Sequence, residues 1–228
     1  MDEPLRRPRG YRSEIRETQA QRTRNGVLEA ATQVFLQRGF AATTLKSVAA
    51  QAGFSVPTVE ALFGTKARLL HAAIDVAIAG DDEPVPMLDR EWASESLGTD
   101  TAEELAAVAA RVLAPAQARS AGLILAVFEA LPRNPDLAAL ADQLVTQRAG
   151  TAEWLLDAIG KKGRLASDLS RQEAVDTLWI LMDPAAFDRL TRQRGWSQQQ
   201  YERWFARSFR RLLTDPDTLS PQPPPHQE

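Results

Sequence analysis

The chain has 228 residues, of which 44% are hydrophobic and 25% charged, so it can form one large globular domain or two smaller ones. It has no cysteine, which excludes disulfide bonds and thiolate metal sites. The net charge is −3, yet residues 1–80 contain eleven basic and seven acidic side chains and carry +4, while the rest carries −7. Positive charge is therefore concentrated at the N-terminal end. This concentration favours nucleic-acid binding there, but it could also result from chance together with a solvated arm.

The sequence shows no export signal. Its arginine-rich N-terminus is not followed by an apolar segment, so it does not match a secretory signal. The longest strongly apolar run, Ala121–Phe128, is far shorter than a bilayer crossing requires. We therefore expect a soluble, cytoplasmic protein.

Residues 1–21 are predicted to form a flexible basic arm, because arginine alternates there with proline and glycine. Such an arm can contact DNA phosphates or the minor groove, or it can be only a solubilising tail. Its basic residues are Arg6, Arg7, Arg9, Arg12 and Arg16.

The first predicted helix runs from about residue 16 or 18 to 38 and ends at Gly39. A helix-turn-helix is then predicted over Thr43–Leu62. Thr44 can cap its first helix, Gly53 can end that helix in a left-handed conformation, and Ser55 can cap the second helix. Pro57 falls in the first turn of the second helix, where its missing N–H costs nothing. A further helix is predicted from Thr65 to Gly80.

The segment Arg24–Leu70 resembles the N-terminal domain of the TetR (tetracycline-repressor) family of bacterial transcription regulators. The resemblance covers roughly the first third of the chain. The residues that stand at the family's spacing are Ala30, Ala31, Phe35, Gly39, Phe40, Thr43, Thr44, Val48, Ala49, Ala52, Gly53, Ser55, Thr58, Val59, Phe63, Lys66 and Leu69.

The resemblance implies a DNA-binding role for the second helix of the motif and its surroundings. Bases would be read by Val56, Pro57 and Thr58, of which Thr58 can form a hydrogen bond and the other two can pack on thymine methyl groups. Phosphates would be held by hydroxyls, cations and helix N-termini. The residues expected to hold phosphates are Arg24, Thr43, Thr44, Lys46, Ser55 and Lys66.

Glu60 departs from the family pattern, which usually has tyrosine at this position. A carboxylate beside a phosphate is repulsive, so one DNA contact is expected to be lost. Glu60 could instead accept a hydrogen bond from a cytosine amino group, pair with Arg68 or Lys66, or be a solvated surface residue turned away from DNA. The sequence leaves these alternatives open.

The rest of the chain is predicted to be helical. Residues 81–100 contain two prolines and no sustained helical period, so they are interpreted as a domain boundary. Beyond them, capping boxes begin at Thr101, Ser170 and Ser197, and no period-two apolar pattern indicates a strand. Helices are predicted near 101–114, 117–131, 135–160, 171–182, 184–194 and 198–213. The last residues, 215–228, are rich in proline and are expected to be disordered.

The second domain is expected to hold a small-molecule pocket and a dimer interface, as the resemblance implies. The pocket candidates are Trp92, Arg111, Phe128, Glu129, Trp154 and Trp179, each of which could equally be a core or surface residue. The predicted helices near 171–182 and 198–213 are expected to form a four-helix bundle with their copies across a two-fold axis. The interface candidates on these helices are Val175, Leu178, Trp204, Phe205 and Phe209. Of these, Trp204 and Phe209 could instead serve the intrachain core.

No catalytic or cofactor site is predicted. The only two histidines, His71 and His226, stand at no motif spacing from an acidic or hydroxyl partner, and no phosphate-binding loop or metal-ligand set is present. We expect no enzymatic activity, no metal and no cofactor.

The predicted protein is therefore an all-α, homodimeric DNA-binding regulator that represses a palindromic operator and responds to a small molecule. Its expected parts are the arm at 1–21, a helix-turn-helix domain at 22–80, a ligand-binding and dimerisation domain at 81–214, and the tail at 215–228. The alternative is a helical small-molecule-binding protein or adaptor that has lost specific DNA recognition.

Overall fold

The computed structural model describes residues 9–215 and, within the first helix, side chains from Thr18 onward. The described residues form helices and no β-strand, apart from one isolated bridge between Leu165 and Thr214. The expected all-α class is confirmed. The α-helices are α1 (Arg9–Ala42), α2 (Leu45–Ala52), α3 (Val56–Phe63), α4 (Lys66–Ala79), α5 (Glu91–Gly98), α6 (Ala102–Ala130), α7 (Ala138–Gly160), α8 (Arg171–Leu181), α9 (Pro184–Asp188) and α10 (Gln198–Leu213).

Shorter helical turns connect several of these helices. Single turns of 3₁₀ helix lie at Met87–Asp89, Leu131–Arg133 and Pro135–Leu137, and a π-helical turn at Arg189–Gln193 continues α9. The chain divides into two compact units, Met1–Val76 and Ala77–Glu228.

Helix α1 begins earlier than predicted. Its backbone is helical from Arg9, so the expectation of a flexible arm over 1–21 is wrong for residues 9–21, while Arg6 and Arg7 lie outside the described residues. No proline interrupts the sequence after Pro8, and a nucleated helix extends one residue at a time at little cost. The regular helix is broken at Gly39, whose φ of 68° is left-handed, close to the predicted end.

The first unit packs α1 against the helix-turn-helix. The apolar stripe of α1, which includes Val27, Ala31 and Phe35, is buried, and the Phe35 ring stacks on that of Phe40 at 6.2 Å. Between α2 and α3, Gly53 has a φ of 72° and its N–H donates to the carbonyl of Ala49. The predicted helix, glycine turn and helix are therefore present as expected.

The segment after α4 contains helical structure that was not predicted. Residues 81–100, which were interpreted as a domain boundary without a sustained helical period, contain a 3₁₀ turn and helix α5. The Arg90 guanidinium donates to both carboxylate oxygens of Asp81, at 2.7 and 2.9 Å, and these bonds lower the pKa of Asp81 to about 2. Helix α5 has only eight residues and buries only Ala93 and Ser96, which leaves no clear apolar period in the sequence.

Helix α6 is one continuous helix where two were predicted. Pro115 lies inside it, and the residues on both sides, Ala114 and Ala116, are buried. An interior proline removes one backbone hydrogen bond and costs about 3 kcal/mol. Burial of the small residues around Pro115 against neighbouring helices offsets this cost.

The apolar length of α6 is explained by its place in the core. By length and composition, residues Ala102–Arg133 could cross a membrane, and they are the only such segment among the described residues. In the structure, α6 packs against α5, α7, α9 and α10, with Leu105, Leu123 and Val127 fully buried. A core helix of this kind passes the same composition test.

The predicted helix starts in the second unit are present. Thr101, Ser170 and Ser197 each form a capping box with the residue three positions later, and Asp183 accepts from the N–H of Ala185 at 2.7 Å. Asn134 precedes a 3₁₀ turn instead of capping an α-helix. Local side-chain chemistry therefore sets most of these helix starts. The predicted tail lies outside the described residues from Pro216 onward.

Four of the five predicted interface residues lie in the core of a single chain. Leu178, Phe205 and Phe209 have no exposed surface, and Val175 is 6% exposed. Trp204 is half-buried and contacts the rings of Tyr201 and Trp196. Helices α8 and α10 pack against each other and against the rest of the unit, so these side chains are not available to a second copy.

We expect Leu178→Ala to lower the free energy of unfolding by about 2–5 kcal/mol, because it leaves a cavity in the core. The matched control is Leu97→Ala on α5, where the leucine is 51% exposed and the same truncation should change stability by less than about 0.5 kcal/mol. Denaturant unfolding followed by circular dichroism measures both. Equal, small effects would show that Leu178 does not belong to the core.

Candidate DNA-binding and effector sites

The N-termini of α2 and α3 are capped by exposed hydroxyl residues. Thr44 Oγ1 accepts from the N–H of Ser47 at 3.0 Å, and Ser47 Oγ accepts from the N–H of Thr44 at 3.1 Å. Ser55 Oγ accepts from the N–H of Thr58 at 3.2 Å. Both caps are at the surface, where hydroxyl O–H groups and the positive end of a helix can face a phosphate.

Helix α3 has one buried and one exposed face. Val59 and Phe63 pack into the core, while Pro57, Glu60, Ala61 and Gly64 form an exposed row at helical spacings of three and four. We call these four residues the α3 row. Of the predicted base-reading residues, Pro57 lies on this row, whereas Val56 and Thr58 are half-buried beside it.

Glu60 is the only charged side chain of the α3 row. Within the part of the chain that the structure describes, its carboxylate makes no hydrogen bond or ion pair, so the anticipated pairing with Arg68 or Lys66 is not formed. The hydroxyl of Thr58 lies 2.8 Å from that of Ser55 and is therefore already hydrogen-bonded. Glu60 is therefore the charged side chain of α3 that has no partner among the described residues, while Thr58 keeps part of its hydrogen-bonding capacity.

Two residues expected to hold phosphates have structural roles. Thr43 is 1% exposed, and its hydroxyl donates to the carbonyl of Gly39 at 2.7 Å. The ammonium of Lys66 donates to the carbonyl of Phe40 at 2.8 Å and lies 4.0 Å from the centre of the Phe40 ring. Both side chains hold the chain where it leaves α1, and their contact with phosphates stays a prediction.

Other cations remain near the surface of the first unit. The Arg24 guanidinium lies 5.0 Å from the centre of the Phe63 ring and is half-buried. Lys46 on α2 and Arg68 in the first turn of α4 are exposed. Lys46 was expected from the sequence to contact phosphate, whereas Arg68 was not, although its place one turn after α3 was a usable signal.

A polar cluster lies at the α8–α9 junction in the second unit. The side-chain amide of Gln117 donates to the carbonyl of Met182 at 2.6 Å, and Arg148 pairs with the carboxylate of Asp183 at 2.9 Å. The Arg148 guanidinium also lies 3.8 Å from the centre of the Trp179 ring. Burial lowers the pKa of Arg148 from its usual value, and the nearby Asp183 partly opposes this shift.

Several polar atoms of this interior lack a hydrogen-bond partner among the described residues. They include Gln117 Oε1 and Arg148 Nε, together with Trp92 Nε1 and Ser96 Oγ. Buried polar atoms without a partner are uncommon in folded proteins, because each one loses the hydrogen bonds it made with water. They are the groups in this unit that a polar ligand would satisfy.

The predicted pocket residues separate into buried and exposed groups. Trp92 packs edge-on against Trp154, with ring centres 5.2 Å apart, and Trp179 lies under Arg148, so these three remain near the interior. Phe128 and Glu129 are exposed, and Arg111 forms a surface ion pair with Glu95. Their place in a pocket stays a prediction.

Sequence reasoning missed the two residues that best fit an interior polar site, Gln117 and Arg148. Both stand on largely apolar helices, which was the available signal, but Gln117 was not singled out, and neither was Arg148. Asp183 was recognised as a helix cap, and its pairing with Arg148 was not predicted. A separate open groove beside α8 has no polar cluster; it is lined by Leu165, Ala166, Leu169, Ser170, Arg171, Ala174 and Leu213.

The described residues contain no group of three or more His, Cys, Asp or Glu side chains placed to hold a metal ion. His71 lies 3.4 Å from the carboxylate of Asp75, one turn later on α4. The sequence analysis did not anticipate this pair. Among the described residues, no hydroxyl side chain is hydrogen-bonded to this pair.

The first unit matches a known protein family. Residues 27–73 match the profile of the bacterial regulatory proteins of the tetR family. This span contains α2, α3 and the α3 row. No curated protein matches the sequence significantly.

Solved structures share the fold over most of the chain. NalD, the secondary repressor of the MexAB-OprM multidrug efflux pump in Pseudomonas aeruginosa, aligns with a TM-score of 0.61 at 18% identity, over 85% of this chain and 97% of its own. SmeT in complex with triclosan aligns with a TM-score of 0.63 at 18% identity, over 91% and 99%. A Rhodococcus sp. protein assigned to the TetR family gives 0.62 at 20% identity, over 84% and 98%.

At these low sequence identities, the solved structures establish only the fold. The profile match establishes that residues 27–73 are a DNA-binding domain. The helix-turn-helix geometry and the match over residues 27–73 agree on the same segment. Residues 27–73 are a DNA-binding domain of the tetR family of bacterial regulatory proteins, and the chain as a whole shares the fold of solved regulators that carry this domain.

Proposed function

We propose that this DNA-binding transcriptional regulator represses a palindromic operator as a homodimer in the cytoplasm, and that a small molecule releases it from DNA. The α3 row carries the proposal, because it is an exposed face on a short helix whose other face is fixed in the core. One such helix reads only a few base pairs, so two copies related by a two-fold axis are needed to read an operator.

The cations around α3 support DNA binding. Lys46 and Arg68 are exposed on the elements that flank α3 in the sequence, and the capped N-termini of α2 and α3 add backbone donors. Contacts of this kind hold phosphates and place the protein on the duplex without reading its sequence. Each neutralised phosphate adds to the salt dependence of binding.

Helices α8 and α10 support a dimer through side chains other than those predicted. The two helices run antiparallel. The Tyr201 hydroxyl, at the start of α10, donates to the carbonyl of Leu181 at the end of α8, and Ala174 near the start of α8 lines the same groove as Leu213 at the end of α10. Ile180 and Leu212 are 58% and 48% exposed on these helices. The exposed side of α8 also carries Glu173 and Asp176, whereas that of α10 carries Arg203, Arg207 and Arg211. A two-fold axis can place the acidic α8 of one copy against the basic α10 of the other.

The polar cluster of Gln117, Arg148 and Asp183 supports an effector site. Its unpartnered atoms can orient a ligand whose remaining surface is covered by the neighbouring Trp179 and the apolar core. Triclosan, which the SmeT structure contains, is a phenol with an apolar body and is a suitable first probe. Its hydroxyl can donate to Gln117 Oε1 or, as a phenolate, accept from Arg148.

The alternative function is a small-molecule-binding protein that no longer recognises a DNA sequence. The unpaired carboxylate of Glu60 on the α3 row is the observation that favours it. Selection of binding sites from a random duplex library decides between the two. Enrichment of a palindrome supports the regulator, whereas weak binding at low salt without enrichment supports the alternative.

We expect Lys46→Ala to weaken binding to all DNA sequences alike and to reduce the slope of log K against log salt by about one, because one phosphate contact is lost. Lys66→Met is the contrasting variant. It should leave the salt slope unchanged and lower the free energy of unfolding by about 1–2 kcal/mol, because the contacts with Phe40 are lost. The opposite pattern, a reduced slope with unchanged stability, would support Lys66 as a phosphate ligand.

We expect Ile180→Asp to weaken the dimer by about a hundredfold or more, because a carboxylate would be buried at the interface. Analytical ultracentrifugation over a range of concentrations measures the shift towards monomer. The control, Leu97→Asp on α5, introduces the same charge at another exposed leucine and should leave the dimer intact. If Leu97→Asp were monomeric and Ile180→Asp remained dimeric, the interface would not include Ile180.

We expect Gln117→Met to weaken the binding of triclosan or a related phenol by about tenfold or more, because one hydrogen bond to a buried group is worth about 1–3 kcal/mol. Calorimetric titration measures the affinity, and operator binding without ligand should be unchanged. Gln147→Met, at an exposed glutamine on α7, is the control. Equal affinities of both variants would exclude Gln117 from the effector site.

A further inference from the structure

The α3 row differs from a typical base-reading surface in its composition. Helix α3 contains no Arg, Lys, Asn or Gln, which are the side chains that read guanine or adenine through paired hydrogen bonds. Pro57, Ala61 and Gly64 are short or lack a side chain. Glu60 is consequently the only side chain of the row that is long enough and polar enough to reach the edge of a base.

We propose that Glu60 reads a cytosine in each operator half-site by accepting a hydrogen bond from its N4 amino group. The inference rests on the proposed DNA-binding function and deepens it by naming the base that the operator must present. It gives a role in sequence specificity to a residue at which the loss of a phosphate contact was expected from the sequence.

The position of Glu60 supports this role. Val59, the residue before it, has no exposed surface, and Phe63, three residues later, is 5% exposed, so the helix cannot rotate about its axis without exposing its core face. The N-cap at Ser55 and the C-terminal bond from the N–H of Gly64 to the carbonyl of Glu60, at 2.8 Å, fix both ends of α3. The backbone that carries Glu60 is therefore held in place before DNA arrives.

The free state of the Glu60 carboxylate also supports it. A carboxylate paired with a neighbouring cation would have to break that pair before reading a base, but Glu60 has no such partner among the described residues. Lys66, which the sequence offered as a partner, donates instead to the carbonyl of Phe40. Thr58 is half-buried beside the α3 row, and its hydroxyl shares a hydrogen bond with that of Ser55.

The chemistry of the major groove then selects the base. A carboxylate accepts hydrogen bonds and cannot donate them, so it is repelled by the O6 and N7 of guanine and by the O4 of thymine. Adenine offers a donor at N6 beside an acceptor at N7, whereas cytosine offers only its N4 donor. Cytosine is the base whose edge best matches a lone carboxylate. The exposed Lys46 and Arg68 lie on the flanking helices and offset its repulsion from the phosphates.

The experiment is parallel selection of binding sites from a random duplex library with the wild-type protein, Glu60→Gln and Glu60→Ala. We expect the wild type to enrich a palindrome with a cytosine at one position of each half-site. Glu60→Gln should move that position to adenine, which glutamine binds through N6 and N7, and leave the other positions unchanged. Glu60→Ala should lose the preference at that position by about tenfold to a hundredfold, the discrimination of one base contact.

A base analogue tests the hydrogen bond directly. Replacing the selected cytosine by 2-pyrimidinone removes the amino group and should weaken wild-type binding about tenfold or more, while the affinity of Glu60→Ala should not change. Glu29→Gln, on the exposed side of α1, is the charge-matched control and should retain the preference for cytosine.

Two outcomes separate the possible failures. A wild-type palindrome whose base preferences are the same in all variants, with Glu60→Gln and Glu60→Ala binding every sequence more tightly, would overturn the role of Glu60 and leave the DNA-binding function standing. No enriched palindrome with the wild-type protein would overturn the proposed function itself.

Discussion

A contact between the residues that bracket the helix-turn-helix joins its two ends. Phe40 ends the core of α1 and Lys66 begins α4, and the Lys66 ammonium both donates to the Phe40 carbonyl and lies over the Phe40 ring. The Phe40 ring in turn stacks on Phe35 of α1. Helices α2 and α3 lie in the loop of chain that this contact closes, so a single cation–π contact with a charge-assisted hydrogen bond limits how far the loop can open.

The second unit depends on a different constraint, the burial of polar groups inside a helical core. Around the α8–α9 junction, Gln117 and the Arg148–Asp183 pair stand among apolar side chains. Removing an ion pair from water is costly, and replacing such pairs by apolar residues is often neutral or stabilising. The cluster therefore contributes little to stability by itself, which is consistent with a role in binding. Nearby, the buried hydroxyl of Tyr201 donates to the carbonyl of Leu181, and burial raises the pKa of Tyr201.

The features that could be predicted from the sequence are local. Thr44, Ser55, Thr101, Ser170 and Ser197 cap the helices they were expected to cap, because a hydroxyl three residues before a free backbone N–H is sufficient for this interaction. The glycine turn at Gly53 follows from the same local rule. The recognition of the DNA-binding unit also followed, since its pattern lies within one short segment.

The features that could not be predicted depend on packing between distant segments. Separate helices were predicted near 101–114 and 117–131, but α6 continues through Pro115 and packs against its neighbours on both sides of it. Leu178 and Phe205 were assigned to an interface because they are apolar, and apolarity alone does not show which surface covers a side chain. For Lys66, a cation in a DNA-binding motif was expected to contact DNA, and only the fold shows that its partner is Phe40.

The short side chains of the α3 row limit how much sequence information one subunit can extract from DNA. A base contact discriminates against a wrong base by about 1–3 kcal/mol, whereas a genome offers about a million or more competing sites. With a single long polar side chain on the row, one subunit would find acceptable half-sites very often by chance. In the proposed dimer, two rows acting on both halves of a palindrome would multiply their selectivities, so recognition would depend steeply on the spacing of the two rows. With such sparse readers, a small change in that spacing would be enough to release the proposed dimer from its site.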